Sequence, residues 1–111
     1  MKKYTLILDL KPDEELILEY ENYHQSIPVE IEKSIRDSGI HSMEINRFSN
    51  RLVMNIETDD HFSFEKKTKL DQGNPYVQTW EKLMWKFQDS IPGAAKGEKW
   101  VLTTKIFDLN K

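Results

Sequence analysis

The order of residue periodicities along the chain is the feature that most restricts its fold. Four segments alternate apolar and polar residues with a period of two, as strands with one buried face do. These segments are 3–10, 40–48, 51–57 and 99–109. Apolar residues recur at helical spacing after the first segment and again after the third. The predicted order is therefore strand, helix, strand, strand, helix, strand.

Both helical stretches are expected to break once, because each one contains an internal proline. Pro28 separates a helix that ends near residue 25 from a second helix that ends near residue 37. Pro75 follows Asn74, a favoured N-cap residue, and so predicts the start of a new helix in the second stretch. Each of the two helical stretches should therefore consist of two separate helices.

This order predicts an α+β fold of the ferredoxin-like type, βαββαβ. It has one four-stranded antiparallel sheet with the helices on one face. The other face would still carry apolar side chains, namely Ile7, Val53, Val101 and Phe107. Because a monomer rarely exposes a large apolar patch, we expect a homodimer in which two open sheet faces pack together.

The composition excludes several classes of function. The chain has no cysteine, which rules out disulfides, thiolate nucleophiles and cysteine-based zinc sites. Its 16 basic residues are dispersed among 19 acidic ones, for a net charge of −3, so neither nucleic acid nor a membrane is an expected partner. The three histidines lack the spacing of metal ligands, and we predict no metal. The opening MKKYTLILDL is expected to be a strand of a mature, cytoplasmic protein rather than a signal peptide.

An aromatic and polar cluster is the remaining candidate site. Tyr20 and His24 are four residues apart and share one face of the first helix, while Trp80 and Trp85 lie on the last helix. Tryptophan faces bind sugar rings, and imidazole exchanges protons at neutral pH. However, Trp80 also fits a core position, and a single histidine on a helix is more often structural than catalytic. The residues alone leave core packing and a small-molecule pocket both open.

Over nearly its full length the chain resembles the L-rhamnose mutarotase family. The resemblance rests on EYENYH with its Y-x-x-x-H spacing and following proline, on the run WEKLMW, and on the closing strand EKWVL. It implies a single mutarotase-like domain over residues 1–111 and a homodimer of the dimeric α+β barrel type. It also implies interconversion of the α and β anomers of a 6-deoxy sugar without a cofactor.

The resemblance further implies roles for individual residues. His24 would be the catalytic proton donor. The substrate-binding residues would be Tyr20, Trp80, Glu81 and Trp85. The family has two adjacent tryptophans, and they correspond to Trp80 and Glu81 of this chain. Glu81 therefore either replaces a lost sugar contact or acts as the base.

Two departures from the family pattern leave the sugar open between L-rhamnose and L-fucose. One is Glu81 itself, and the other is Met43, which falls near the position of a further sugar-binding tyrosine. Two other functions remain as alternatives. Fold analogy alone permits a cofactor-free monooxygenase, and the same pocket is compatible with a sugar-binding module without catalysis.

Overall fold

In the computed structural model, which describes residues 1–110, the chain forms four helices and five strands. The helices are α1 (Glu14–His24), α2 (Val29–Asp37), α3 (Phe64–Gln72) and α4 (Pro75–Trp85). The strands are β1 (Lys2–Leu10), β2 (Ile40–Phe48), β3 (Arg51–Thr58), β4 (Gln88–Asp89) and β5 (Val101–Leu102). The break of each helical stretch into two helices, predicted from the prolines, is confirmed: α1 and α2 form the first stretch, and α3 and α4 form the second.

One antiparallel sheet contains all of these strands. Its order is β2-β3-β1-β4, and β5 pairs with the same edge of β1 as β4 does. The turn between β2 and β3 is only two residues long, so Phe48 pairs directly with Arg51. The predicted ferredoxin-like α+β fold is confirmed, because the split βαβ connection places β1 between β3 and the carboxyl-terminal strands.

The prediction of one last strand over residues 99–109 is wrong. Helix α4 ends early enough for Gln88 to pair with Leu10 at the end of β1. The chain then leaves the sheet and returns at Val101, which pairs with Ile7. The backbone N–H of Thr103 donates to the carbonyl of Thr5 at 2.9 Å. Two short strands therefore share the edge of β1 that the prediction assigned to one.

The core lies between the sheet and the helices and has two apolar clusters. One comprises Leu8, Leu10, Tyr20, Leu52, Met84 and Phe87. The other comprises Leu6, Ile40, Ile56 and Phe62. The half-buried side chain of Trp100 packs against both clusters. Residues from both clusters line one cavity.

The opposite sheet face carries a short apolar row, as predicted. Ile7 on β1 is paired with Val53 on one side and with Val101 on the other, and all three side chains are only partly buried. Phe107 lies beyond β5 and is 75% exposed. Helices cover the other face of the sheet, so this row is open to solvent.

Candidate functional site

A cavity of about 590 Å³ lies between the helices and the covered face of the sheet. This volume is typical of pockets that bind small molecules. The floor of the cavity consists of apolar sheet residues, namely Leu6, Met43, Ile45, Met54 and Ile56. The walls come from α1, α2, α3 and α4 and from the segment that leads into β5. The cavity therefore has an apolar floor and walls that carry polar groups.

His24 is the last residue of α1 and lines this cavity. Its Nδ1 lies 2.8 Å from the backbone carbonyl oxygen of Tyr20. A carbonyl can only accept, so Nδ1 carries the hydrogen and donates it, which leaves Nε2 as the nitrogen that can exchange a proton with a ligand. The imidazole packs against the ring of Tyr20 at 4.3 Å between centroids and against Trp80 at 5.5 Å. The ring is thus held by one hydrogen bond and two aromatic contacts.

Tyr20 contributes a buried hydroxyl to the cavity wall. Its side chain is 4% exposed, and burial raises the pKa of Tyr20 to about 12, although polar contact with the side chain of Gln88 partly opposes this. The phenol therefore stays protonated near neutral pH. Tyr20 is suited to donate a hydrogen bond to a hydroxyl, and it is not suited to act as a base.

The two tryptophans of α4 differ in their environment. Trp80 is partly buried, packs edge-on against the ring of Tyr23 at 6.5 Å, and lines the cavity beside His24. Trp85 also lines the cavity but is 54% exposed, so it lies at the rim. Tyr23 contacts Trp80 and Phe87 and is absent from the cavity lining, so its role there is structural.

Glu81 follows Trp80 on α4 and also faces the cavity. Partial burial raises the pKa of the Glu81 carboxyl, and the negative charge of Asp71 raises it further, while Lys67 opposes the shift. Lys67 and Asp71 lie one turn apart on α3, with 2.6 Å between Nζ and Oδ2. Three charged side chains from two helices therefore come together in one wall.

All five predicted site residues line this one cavity, and their individual roles stay predictions. These residues are Tyr20, His24, Trp80, Glu81 and Trp85. Sequence analysis missed Lys67, Asp71 and Gln88, which line it as well. The only signal for the first two was their i,i+4 spacing with opposite charge. Nothing local pointed to Gln88, whose position depends on β4.

A wider depression of about 850 Å³ lies over the open sheet face, away from the aromatic cluster. Its lining includes Thr5, Asn55, Glu57 and Lys105. The hydroxyl of Thr5 already donates to the side chain of Asn55 at 2.8 Å. Among residues 1–110, neither a histidine nor a tryptophan lines this depression, so it has no imidazole for proton exchange and no indole to pack against a sugar ring.

Two further findings concern the described part of the chain. None of its helices has the length and apolar character needed to cross a membrane. Within residues 1–110, no three histidine, aspartate or glutamate side chains lie close enough together to hold a metal ion.

Fold and cavity together define a ferredoxin-like α+β protein with a small-molecule pocket. Residues 3–109 match the family model described as L-rhamnose mutarotase. The chain therefore belongs to the L-rhamnose mutarotase family, which confirms the resemblance seen in the sequence. Membership implies an activity of the carbohydrate isomerase type.

Relatives by sequence support the same assignment. A Xanthomonas campestris protein named L-fucose mutarotase is 39% identical over 113 aligned residues, which cover 100% of this chain and 90% of the relative. A Dictyostelium discoideum protein of the UPF0734 group is 34% identical, with 98% of this chain and 90% of the relative covered.

Solved structures show the same fold at low sequence identity. The L-rhamnose mutarotase of Formosa agariphila aligns with a TM-score of 0.73 at 13% identity, over 99% of this chain and 100% of that one. Tetracenomycin F2 cyclase of Streptomyces glaucescens gives 0.61 at 15% identity, with 100% and 99% covered. A dimeric ferredoxin-like protein from an uncultured marine organism gives 0.54 at 17% identity, with 96% and 90% covered.

Proposed function

We propose that this protein is an aldose mutarotase, within the racemases and epimerases acting on carbohydrates. Its substrate is a 6-deoxy sugar, with L-fucose as the first candidate and L-rhamnose as the second. L-Fucose comes first because the relative named L-fucose mutarotase is 39% identical over the whole chain. The observation that carries the proposal is the orientation of His24, whose Nδ1 is engaged by the α1 backbone while its ring lies against Trp80 in the cavity.

The reaction needs one proton given and one removed. An acid protonates the ring oxygen while a base takes the proton of the anomeric hydroxyl, so the bond from C1 to the ring oxygen breaks and an aldehyde forms. Rotation about the bond between C1 and C2 presents the other face of the carbonyl. Ring closure then returns both protons to their donors. The cycle is redox-neutral and consumes no co-reactant.

His24 and Glu81 are the proposed acid and base. The imidazolium of His24 donates from Nε2 to the ring oxygen, while its Nδ1–H stays bound to the carbonyl of Tyr20. The carboxylate of Glu81 accepts the anomeric proton. Partial burial raises the pKa of Glu81, which makes its carboxylate a stronger base than an exposed one.

The remaining predicted residues bind the sugar. The protonated hydroxyl of Tyr20 donates a hydrogen bond to it. The indole of Trp80 packs against the apolar face of the ring, and Trp85 covers it from the rim. The methyl group at C6 of a 6-deoxy sugar suits the apolar floor formed by the sheet.

We further propose that the protein is a homodimer joined through its open sheet faces. The row formed by Ile7, Val53 and Val101 supports this, as does the exposed side chain of Phe107. The word dimeric in the name of the marine ferredoxin-like protein is consistent with it. A single mutarotase domain over residues 1–111 and a cytoplasmic location stay predictions.

Exchange NMR between the two anomeric proton signals tests the activity directly. We expect the protein to increase the exchange rate of L-fucose, of L-rhamnose or of both, in proportion to its concentration. If neither sugar exchanges faster, the mutarotase proposal is wrong. Calorimetric sugar binding without faster exchange would instead identify a binding module, and oxygen consumption with an aromatic substrate would identify a monooxygenase.

A further inference from the structure

The ion pair of Lys67 and Asp71 on α3 differs from the other helical ion pairs in its burial. The two side chains are 23% and 15% exposed. The pair Glu65 and Lys69 has the same spacing on the same helix, yet its side chains are 82% and 75% exposed. An exposed pair contributes little to stability, and burying one carries a desolvation penalty that its attraction often fails to offset. Stability alone therefore gives no reason for a charged pair in this wall.

The position of the pair connects it to the proposed sugar site. Lys67 and Asp71 both line the cavity that contains His24 and Trp80. The side-chain amide of Gln78 donates to the backbone carbonyl of Asp71 at 2.8 Å, which ties the end of α3 to α4. α4 carries Glu81, and both charges of the pair influence the Glu81 carboxyl. The pair therefore lies beside Glu81 in the lining of the cavity that also contains His24.

The pair keeps hydrogen-bonding capacity beyond its internal contact. The bond between them uses Nζ of Lys67 and Oδ2 of Asp71. The ammonium group has two further N–H donors, and Oδ1 of Asp71 can accept from a ligand. An acceptor and a donor side by side match two neighbouring hydroxyls of a sugar, since each hydroxyl can both donate and accept.

We propose that Lys67 and Asp71 bind two neighbouring ring hydroxyls of the sugar and thereby select its hydroxyl pattern. This inference rests on the proposed mutarotase function and names the substrate-selecting part of the same cavity. L-Fucose and L-rhamnose differ in configuration at C2 and C4, so a wall that binds a pair of hydroxyls distinguishes them. Charge-assisted hydrogen bonds of this kind are stronger and more selective than neutral ones.

The test combines protein variants with sugars that each lack one hydroxyl. Lys67→Met and Asp71→Asn are compared with the wild type on L-fucose, on L-rhamnose and on the singly deoxygenated analogues of L-fucose. We expect each variant to lower kcat/KM for the preferred sugar about 10- to 100-fold. The loss should disappear for the analogue that lacks the bound hydroxyl, because that contact is already missing.

The double variant Glu65→Gln/Lys69→Met is the matched control, since it removes an exposed pair with the same spacing. It should exchange every sugar as the wild type does. An equal loss on all sugars would mean that Lys67 and Asp71 are structural, and no loss would also overturn the inference. A wild type without exchange would refute the proposed function itself. If Asp71→Asn does not fold, as judged by circular dichroism, Lys67→Met decides the outcome alone.

Discussion

Replacement of His24 by asparagine would separate its proton transfer from its structural contacts. The amide nitrogen of asparagine occupies nearly the position of Nδ1, so it can keep the bond to the Tyr20 carbonyl, which is 2.8 Å long in the wild type. Asparagine has no group that exchanges a proton near neutral pH. The variant therefore removes the nitrogen that would transfer the proton, while it retains the hydrogen bond to the Tyr20 carbonyl.

The variant loses a general acid, which lowers the rate, and two aromatic contacts, which lowers the folding stability. A positioned general acid contributes a factor of about 10² to 10⁴, or about 3 to 5 kcal/mol of transition-state stabilisation. The ring contacts with Tyr20 and Trp80 contribute about 0.5 to 1.5 kcal/mol each, so folding stability falls by about 1 to 3 kcal/mol. A domain with a typical stability of about 5 to 15 kcal/mol stays folded after this loss.

The assay is anomer exchange of the preferred sugar by NMR, with a thermal melt of each variant. His41→Asn is the matched control, because His41 is exposed on β2 and does not line the cavity. We expect His24→Asn to fall toward the uncatalysed rate and His41→Asn to keep the wild-type rate. A folded His24→Asn variant with wild-type exchange would refute the assignment of proton transfer to this imidazole.

Three other perturbations have directions that follow from the structure. Partial burial raises the pKa of Glu81 in the fold, so ionisation of this carboxyl destabilises the protein. The stability of Glu81→Gln relative to the wild type, measured by thermal melts, should therefore increase as the pH rises through and above about 4.3, the ordinary pKa of glutamate. If this stability difference is the same at pH 4 and pH 7, the prediction is wrong. Gly39 has φ of +100°, and an added Cβ would lie 2.9 Å from Oδ2 of Asp59. Gly39→Ala should therefore lower the free energy of unfolding, measured in urea, by about 1 to 3 kcal/mol. Gly73→Ala is the control and should lower it much less. Ile7→Glu places a charge in the open sheet face and should shift sedimentation from dimer to monomer; a dimeric Ile7→Glu variant would exclude this face as the interface.

Local signals account for the elements that were predicted correctly. Asn74 caps α4 through bonds to the backbone N–H groups of Tyr76 and Val77, at 3.0 and 3.4 Å. Such bonds span only a few residues, so their donors and acceptors can be read from the sequence. The alternation in β1 likewise places Leu6 and Leu8 on the covered face whatever lies further away.

The carboxyl-terminal strand was beyond such local reasoning. The segment 99–109 alternates as a strand should, but a strand needs a partner edge, and the edge of β1 is shared with Gln88 and Asp89. Which residues reach that edge depends on where α4 ends and how it packs. The periodicity of the segment carries no information on either point.

The sequence by itself determined the order of the elements and which residues share a helix face, including Tyr20 with His24. Only the tertiary structure decided which charged residues of α3 belong to the site. Glu65–Lys69 and Lys67–Asp71 have the same spacing on α3, yet one pair is exposed and the other lines the cavity. The physical reason is that the only apolar residues of α3, Phe64 and Leu70, lie on different sides of the helix, so no apolar stripe in the sequence indicates its inward face. Packing against α4 sets that face, and with it the charges that surround Glu81.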